Sequence, residues 1–311
     1  MRRTELPLTP EGPQTPVLAR RRLWSGFSGQ LTAAGWQRGQ HPEDRVAEVE
    51  QAALVLLFEG SYVRHVGSRA AVGDPMHVTL YETGERHRVR HPRGDTTRGI
   101  RFRPSSELLV RVAVECGATL HDAERRPFPA LSVPVDSRMA VALRILAGDL
   151  ARGPAPDPLL VDEVLASFAS RVLSALHGRR PPRGTAVSVA LRGRLRELQN
   201  RLWSEPRRRE RLEDLAAETG CSVWHLSKAF IEITGTTMST FVKTARLHRA
   251  VSRILDGDDD LTDVALASGY ASHSHLSESF RREIGLSPSA LRGATGDAAL
   301  SRIAATLRPP P

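Results

Sequence analysis

An internal repeat near the carboxyl end constrains this chain more than any other feature of its sequence. Residues 212–241 align with residues 261–291 at an offset of 49 positions, which becomes 50 after one inserted residue in a turn. The matched positions keep the same residue type in both copies: Leu212 and Leu261, Ala216 and Ala265, Gly220 and Gly269, Leu226 and Leu276, Phe230 and Phe280, Gly235 and Gly285. The repetition predicts two copies of one structural unit.

Each copy has the pattern of two helices joined by a tight turn. In the first copy, LEDLAAETG predicts a short helix and SVWHLSKAFIEITG predicts a longer one. Gly220 and Gly269 fall in the turns, where only glycine adopts a positive φ angle at little cost. Ala216 and Ala265 fall where the helices cross, and a larger side chain there would push them apart. This is the pattern of a helix-turn-helix, whose second helix enters the major groove of DNA.

The outward face of each second helix holds the candidates for contacts with DNA. Leu226 and Phe230 are four residues apart and predict the buried face of the first copy, so the remaining positions face outward. An outward tryptophan can pack on thymine methyl groups while serine and lysine reach base edges or phosphates. The candidates on the two second helices are Trp224, His225, Ser227, Lys228, His273, Ser274, Ser277, Glu278 and Arg281.

A second set of residues is predicted to contact phosphates. It consists of Arg207, Arg208 and Arg209 and the start of each first helix. Phosphate contacts position a protein on DNA without reading its sequence. Two alternatives stay open here, because Trp224 can also seat partly in the surface of its own domain and the arginine run can be a solvated loop.

The longer pattern resembles a known family. The runs LEDLAAETGCSVWHLSKAF, GTTMSTFVKTARLHRA and LTDVALASGYASHSHLSESFRREIGLSPSALR look like the AraC/XylS family of bacterial transcription regulators, and the likeness covers Leu191 to Arg292. The resemblance implies an all-α domain with two helix-turn-helix units. It also implies that a long joining helix, here 238–255, separates the two recognition helices by about one turn of DNA, roughly 34 Å.

This sequence departs from the family pattern at four positions. Leu276, Leu291 and Phe241 replace a usual Phe, Tyr and Tyr, and Glu278 stands where arginine is common. A carboxylate is repelled by phosphates, although it can accept a hydrogen bond from the amino group of cytosine. The resemblance therefore implies no particular DNA sequence.

The amino-terminal part reads differently. In residues 21–135, short apolar runs such as AALVLLF and HVTLY alternate with Gly, Pro, Asp and Arg, which predicts a small all-β sandwich or barrel. The segment GSYVRHVGSRAAVGDPMHVTLYETGERHRVRHPRGD also resembles, more loosely, the cupin-like sensor domains that precede this DNA-binding domain in many family members. The resemblance implies a barrel able to hold one small ligand.

Three residues in this part invite a metal interpretation. Glu85, His87 and His91 would share one face of an extended strand, and carboxylate and imidazole groups are metal ligands. The cupin pattern of His-x-His with a following Glu is absent, however, and three arginines crowd the same strand. The prediction is therefore no metal, no other cofactor and no catalytic residue.

Two helices are predicted after the β-rich part. Apolar steps of three and four residues predict helices at 137–151 and 157–177, the second capped by Asp157. They carry more apolar residues than one barrel face requires, so they are expected to form a homodimer interface; covering the barrel is the alternative. The predicted organisation is multidomain α+β: a mobile arm (1–20), a cupin-like barrel or sandwich (21–135), a helical dimerisation region (136–178), a linker (179–185), an all-α DNA-binding domain (186–294) and a flexible tail (295–311).

Composition permits a nucleic-acid partner without establishing one. The net charge is +9, but the surplus lies mainly in residues 1–185, with 26 basic and 20 acidic residues, rather than in 186–295, with 16 and 14. The longest apolar run, 52–58, is far shorter than the roughly 20 residues of a membrane helix. The amino-terminal residues lack the apolar core of an export signal, so a cytoplasmic protein without a membrane partner is predicted.

These features predict a sequence-specific DNA-binding transcription regulator that is not an enzyme. Its expected partners are double-stranded DNA, a second copy of the chain, RNA polymerase and a small effector at the amino-terminal domain. Two alternatives stay open: a metal-dependent cupin enzyme fused to a DNA-binding module, and a constitutive regulator without an effector.

Overall fold

The computed structural model describes most of the chain in several segments. They are residues 19–36, 46–91, 96–125, 127–152, 156–177, 188–206, 210–257, 260–293 and residue 301. The predicted linker, the Arg207 to Arg209 run, the predicted arm up to residue 18 and all of the predicted tail except Ser301 lie outside the described residues. Among the described helices, none combines the length and the apolar character that a membrane crossing requires.

The amino-terminal part contains two antiparallel sheets. Its strands are β1 (Ala19–Gly26), β2 (Gly29–Trp36), β3 (Ala47–Glu48), β4 (Ala53–Glu59), β5 (Tyr62–Val66), β6 (Arg69–Gly73), β7 (His77–Tyr81), β8 (Arg86–Arg90), β9 (Thr97–Pro104) and β10 (Ser132–Pro134). The six-stranded sheet has the order β1-β2-β9-β4-β7-β10, and the four-stranded sheet has the order β3-β8-β5-β6. Because β1 begins at Ala19, the predicted mobile arm is too long by two residues.

A buried arginine joins the two sheets. Arg64 of β5 is fully buried, donates from Nη1 to the Leu80 carbonyl oxygen of β7 at 2.5 Å, and stacks 3.9 Å from the centre of the Tyr81 ring. Its guanidinium also pairs with Glu85. Burial lowers the pKa of Arg64, with Tyr81 and Tyr62 acting in the opposite direction. A buried guanidinium persists because its partners replace the lost hydration.

Two helices interrupt the part that was predicted to be all-β. They are α1 (Ser106–Glu115) and α2 (Leu120–Arg125). The Ser105 side chain accepts a hydrogen bond from the Leu108 backbone N–H and caps α1. One side of α1 buries Leu108, Leu109, Val112 and Ala113. The all-β prediction is therefore wrong for this segment.

The middle helices are α3 (Ser137–Arg152) and α4 (Pro158–His177). Asp157 caps α4 as expected, with its carboxylate accepting from the Leu159 N–H at 2.8 Å. The apolar residues of α3 are buried within the same chain, where the helix packs on α4, β1 and β4. This apolar face was the reason to expect a homodimer interface, and the chain itself covers it. The alternative, a cover over the sheets, accounts for the burial.

The carboxyl-terminal part is helical throughout its described residues. Its helices are α5 (Val189–Ser204), α6 (Leu212–Thr219), α7 (Val223–Thr234), α8 (Met238–Leu255), α9 (Leu261–Ser268), α10 (His273–Glu283) and α11 (Pro288–Arg292). Helix α8 coincides with the predicted joining helix. Gly220 and Gly269 end α6 and α9 with φ angles of 67° and 90°, as the turn pattern requires.

Candidate nucleic-acid interface

The two helix-turn-helix units are α6–α7 and α9–α10, and each is held by the core residues that the repeat predicts. Phe230 and Leu226 of α7 are fully buried, as are Phe280 and Leu276 of α10. Ser222 and Ser272 cap the two recognition helices by accepting from the N–H groups of His225 and His275. Each recognition helix therefore starts at a fixed residue and turns a defined face outward.

The outward face of α7 carries the largest exposed aromatic side chain of the described residues. Trp224 is 71 % exposed, and the Lys228 ammonium lies 5.0 Å from the centre of its ring. This distance is within the range of a cation–π contact, which favours this arrangement of the two side chains. His225 is exposed and Ser227 is half-buried beside them. The structure thus brings the four predicted residues of α7 together, and Trp224 does not seat in the domain surface.

The outward face of α10 is polar. His273, Ser274, Glu278 and Arg281 are exposed, as predicted. Ser277 is only 8 % exposed, and its hydroxyl lies 3.3 Å from Nε2 of His273. The prediction that Ser277 faces outward is wrong, because the position lies at the edge of the buried face, next to Leu276.

Sequence reasoning missed two exposed side chains on these helices. His275 packs edge-on against the Tyr270 ring at 5.3 Å, and Arg282 lies in the last turn of α10. Glu283 holds Arg282 through a hydrogen bond of 2.9 Å and raises the pKa of its guanidinium. The helical period placed both residues near the outward face, so the pattern itself contained the signal.

The amino-terminal ends of α6 and α9, the first helices of the two units, are poorly suited to bind phosphate. Glu213 and Asp214 lie in the first turn of α6. At α9, the Asp260 carboxylate accepts from the N–H groups of Thr262 and Asp263, and these two hydrogen bonds lower its pKa. Free helix N–H groups attract phosphate, but at α9 a carboxylate already occupies them, and at α6 two acidic side chains in the first turn repel phosphate. The prediction of phosphate contacts at these helix starts is therefore not supported by the local charge.

Side chains of the amino-terminal part contact the end of the first recognition helix. Asp74 is fully buried; its carboxylate accepts from the Gln199 side chain of α5 at 2.8 Å and contacts Nδ1 of His77 at 2.8 Å. Nε2 of His77 lies 3.2 Å from the carbonyl oxygen of Thr234, the last residue of α7. One buried polar cluster thus joins the sheets, α5 and α7.

A second polar cluster joins the sheets and α3 to the end of α8. Arg144 of α3 donates to Ser252 at 2.5 Å and pairs with Asp256 at 3.3 Å. Arg98 of β9 pairs with Glu59 at 2.6 Å and with Asp256 at 3.4 Å. Burial lowers the pKa of Arg144, opposed by the two carboxylates. Because the largely buried Arg144 is costly to leave unpaired, its contacts hold the end of α8 against the amino-terminal part.

A cavity of about 460 Å³ lies at the junction of all three parts of the chain. Met76, His77 and Val135 line it from the β-rich part, and Arg138 lines it from the start of α3. The DNA-binding part contributes four hydroxyl groups and one carboxylate, from the end of α7, the turn that follows it, α8 and the end of α10: Thr234, Thr236, Thr240, Thr244 and Glu283. A small molecule in this space would touch both units and the sheets at once.

A buried histidine of α8 predicts that the stability of the protein depends on pH. His248 is 6 % exposed beside the Trp203 ring, and burial, with Arg144, lowers its pKa to about 4. The unfolded chain binds this proton near pH 6.5, so stability is complete above that pH and falls as the pH drops toward 4. Between about pH 7 and pH 5 the loss from His248 alone is about 2 kcal/mol. His87, whose pKa burial also lowers to about 4, acts in the same direction.

Urea denaturation at about pH 7 and pH 5 tests whether His248 causes this pH dependence. His248→Gln is expected to reduce the pH dependence by about 2 kcal/mol. His121→Gln, which alters an exposed histidine of α2, is the matched control and should leave the dependence unchanged. An undiminished pH dependence in His248→Gln would show that other groups cause it.

The three residues that were considered as metal ligands each contact other side chains in the structure. Glu85 pairs with Arg64, and His87 packs edge-on against Tyr81. His91 is buried with its ring 6.0 Å from that of Tyr62. Within the described part of the chain, no group of three or more His, Cys, Asp or Glu residues is placed to hold a metal ion.

Comparison with known proteins identifies the helical part. A family model described as a helix-turn-helix domain matches residues 215–294, which span both units. The transcriptional regulator ExsA of Pseudomonas aeruginosa is 27 % identical over 199 residues, which cover 60 % of this chain and 67 % of that protein. Residues 215–294 therefore carry a helix-turn-helix domain of the kind found in AraC-type transcription regulators. The family resemblance predicted from the sequence is confirmed.

The chain is also similar to other known proteins. The transcriptional activator AarP of Providencia stuartii is 27 % identical over 81 residues, which cover 26 % of this chain and 60 % of that protein. Among solved structures, the DNA-binding domain of AdpA in complex with a target DNA is 28 % identical and covers 32 % of this chain and 90 % of that domain, with a TM-score of 0.30.

Proposed function

We propose that this AraC-type chain binds two adjacent half-sites of duplex DNA sequence-specifically, under the control of a small effector at its amino-terminal domain. The observation that carries the proposal is the outward face of α7, where Trp224 is exposed and Lys228 lies over its ring. Covering such a side chain with thymine methyl groups or sugars removes apolar surface from water and so stabilises the complex.

The two recognition helices have different roles in this proposal. On α7, Trp224 supplies apolar contact, while Lys228, Ser227 and His225 reach base edges or phosphates. On α10, the exposed polar side chains read the next half-site: His273, Ser274, Glu278 and Arg281. Since α8 joins the units, it sets the spacing of the half-sites at about one turn of DNA.

The contacts between the parts of the chain support control by an effector. Asp74 and His77 contact α5 and the end of α7, and Arg144 contacts the end of α8. An effector with different affinities for two arrangements of these contacts changes which arrangement predominates, and thus the fit of the two units to DNA. A cupin-like barrel formed by the two sheets, or the cavity beside His77, gives the effector a site.

The remaining organisation is proposed from the sequence. The sensor domain spans residues 21–135, the middle helices 136–178 and the DNA-binding domain 186–294. Homodimerisation and contact with RNA polymerase stay predictions. A constitutive regulator is the second candidate function, and it is distinguished by an operator affinity that no small molecule changes.

Substitution of Trp224 tests the proposed interface. Trp224→Ala is expected to weaken binding to a duplex selected from a random pool by the full-length protein about 10- to 100-fold, because one good contact contributes about 1–3 kcal/mol. The unfolding temperature should change little, since the side chain is exposed. Fluorescence anisotropy with the labelled duplex measures the affinity.

Leu159→Ala is the matched control for this experiment. Leu159 is 80 % exposed on α4, so the exchange also removes a large exposed apolar side chain, but from a different helix. Its affinity for the duplex should equal that of the wild type. Equal affinities of Trp224→Ala and the wild type would exclude α7 from the interface.

A further inference from the structure

Arginines line the outer face of the four-stranded sheet. Arg86, Arg88 and Arg90 occupy alternate positions of β8 and are all exposed, so they point to the same side with about 7 Å between neighbours. His65 of β5 lies opposite Arg88 in the antiparallel pairing. These four residues line a groove of about 560 Å³, together with Val46, Gly67 and His87.

Among the described residues, few acidic side chains lie beside the arginines of this groove. Glu48 lies opposite Arg86 across the β3–β8 pairing and brings one acidic residue to this edge of the groove. Arg88 and Arg90, by contrast, form no hydrogen bond or ion pair with any described residue. Burial first, and then Arg196, Arg90 and Arg88, lower the pKa of His65, which reports a cationic neighbourhood.

The same basic surface continues onto the DNA-binding domain. Arg196 of α5 donates to the Ala70 carbonyl oxygen of β6 at 2.8 Å, which holds α5 against the edge of this sheet. Arg192 is exposed one turn earlier on α5. Cationic side chains thus extend from one side of α5, a helix of the DNA-binding domain, to β8.

We propose that this basic face, defined by His65, Arg88, Arg90, Arg192 and Arg196, binds the phosphate backbone of the duplex that flanks the half-site read by α7. Its charge is complementary to phosphate, and it is continuous with the domain that brings the duplex near. Contacts of this kind add affinity and salt dependence but no base preference. The face also gives a role to part of the positive surplus in residues 1–185. The inference rests on the proposed function.

The length of the duplex provides the test. Full-length protein is titrated, over a series of salt concentrations, with a selected core duplex of about 20 bp, which spans two half-sites, and with the same core extended by about 10 bp on each side. Two further phosphate contacts steepen the salt dependence, so the slope of log affinity against log salt should be larger on the extended duplex by about 2. In Arg88→Gln/Arg90→Gln this difference should disappear, while affinity for the core duplex is retained.

A second double variant controls for net charge. Arg22→Gln/Arg103→Gln removes the same charge from the six-stranded sheet, and it should keep the full difference in slope. If this control loses as much of the slope difference as Arg88→Gln/Arg90→Gln does, the difference depends only on net charge and the proposal fails. Equal slopes on the two duplexes for the wild type also overturn it.

Two outcomes separate the inference from the function on which it rests. A wild type that prefers the core duplex to a scrambled one but shows equal slopes contradicts only the basic-face proposal. A wild type without any sequence preference contradicts the proposed function and the inference with it. If inorganic triphosphate raises the unfolding temperature of the wild type but not of Arg88→Gln/Arg90→Gln, and the slopes are equal, the face binds a small polyanion and the DNA proposal is wrong.

Discussion

Replacement of Phe280 by alanine is expected to destabilise the second helix-turn-helix unit by about 3–5 kcal/mol. Phe280 is fully buried in one apolar cluster with Val264 and Ala265 of α9 and with Tyr270. The exchange removes a ring from between two short helices that are fixed by their own turn, so the cavity cannot close completely. A domain is stable by only about 5–15 kcal/mol, and a loss of this size is a large share.

Urea denaturation followed by circular dichroism measures this loss, and operator affinity should fall with it. The control is Phe27→Ala, which removes the same ring from a position that is 58 % exposed. It should cost less than about 1 kcal/mol, as surface exchanges usually do. A Phe280→Ala protein as stable as the control would show that α9 and α10 are not packed through this side chain.

The helical part could be predicted from the sequence because its determinants are local. Glycines at turns, serine caps and apolar residues at helical spacing fix where each helix begins and ends. Gly220 and Gly269 adopt positive φ angles, and Ser222 and Ser272 cap the helices that follow. The repeat doubled this information, since each copy tests the interpretation of the other.

Helix α1 was missed although its signals were present. Ser105 caps the helix, and Leu108, Leu109 and Val112 follow a helical period. The segment also contains several valines, which favour strands, and it lies among true strands. Tertiary packing decided the outcome, because the apolar side of α1 is buried in the same core as α3 and α4.

The partner of an apolar face could not be predicted. Helix α3 reads as strongly apolar, and the sequence predicted that a second copy of the chain would cover it. In the structure, Met139, Leu143 and Leu146 are buried within one chain. Periodicity shows that a face must be covered, but it contains no information about what covers it.

Part of the candidate site could be predicted, because helical spacing is a local property of the sequence. Helical spacing placed Trp224 and Lys228 outward, and the structure brings them together. Ser277 was misplaced because it lies at the boundary of the buried face. The contact between Asp74 and Gln199 joins residues 125 positions apart, and no local pattern signals a contact of that kind.

The spacing of the two half-sites is the second property with a large expected effect. Because α8 is a single helix that packs against α5, α9 and α11, we expect the distance between α7 and α10 to be fixed. Inserting about 5 bp between the half-sites turns the second one to the opposite side of the duplex. One unit then loses its contacts, and affinity should fall by at least about 100-fold, since each lost base pair contributes about 1–3 kcal/mol.

Insertion of a full turn of about 10 bp is the matched control, because it restores the face of the duplex but doubles the separation. It should also abolish binding by both units, since α8 cannot lengthen. These two outcomes together distinguish a rigid pair of units from two domains on a flexible linker, which would tolerate the full-turn insertion.

The most direct measurement is therefore the affinity of the full-length protein for the selected duplex with insertions of zero, about 5 and about 10 bp between its half-sites. The proposed arrangement predicts tight binding only without an insertion, with a footprint over two consecutive major-groove segments on one face of the duplex. Equal affinity for all three duplexes would contradict the claim that α7 and α10 read DNA together.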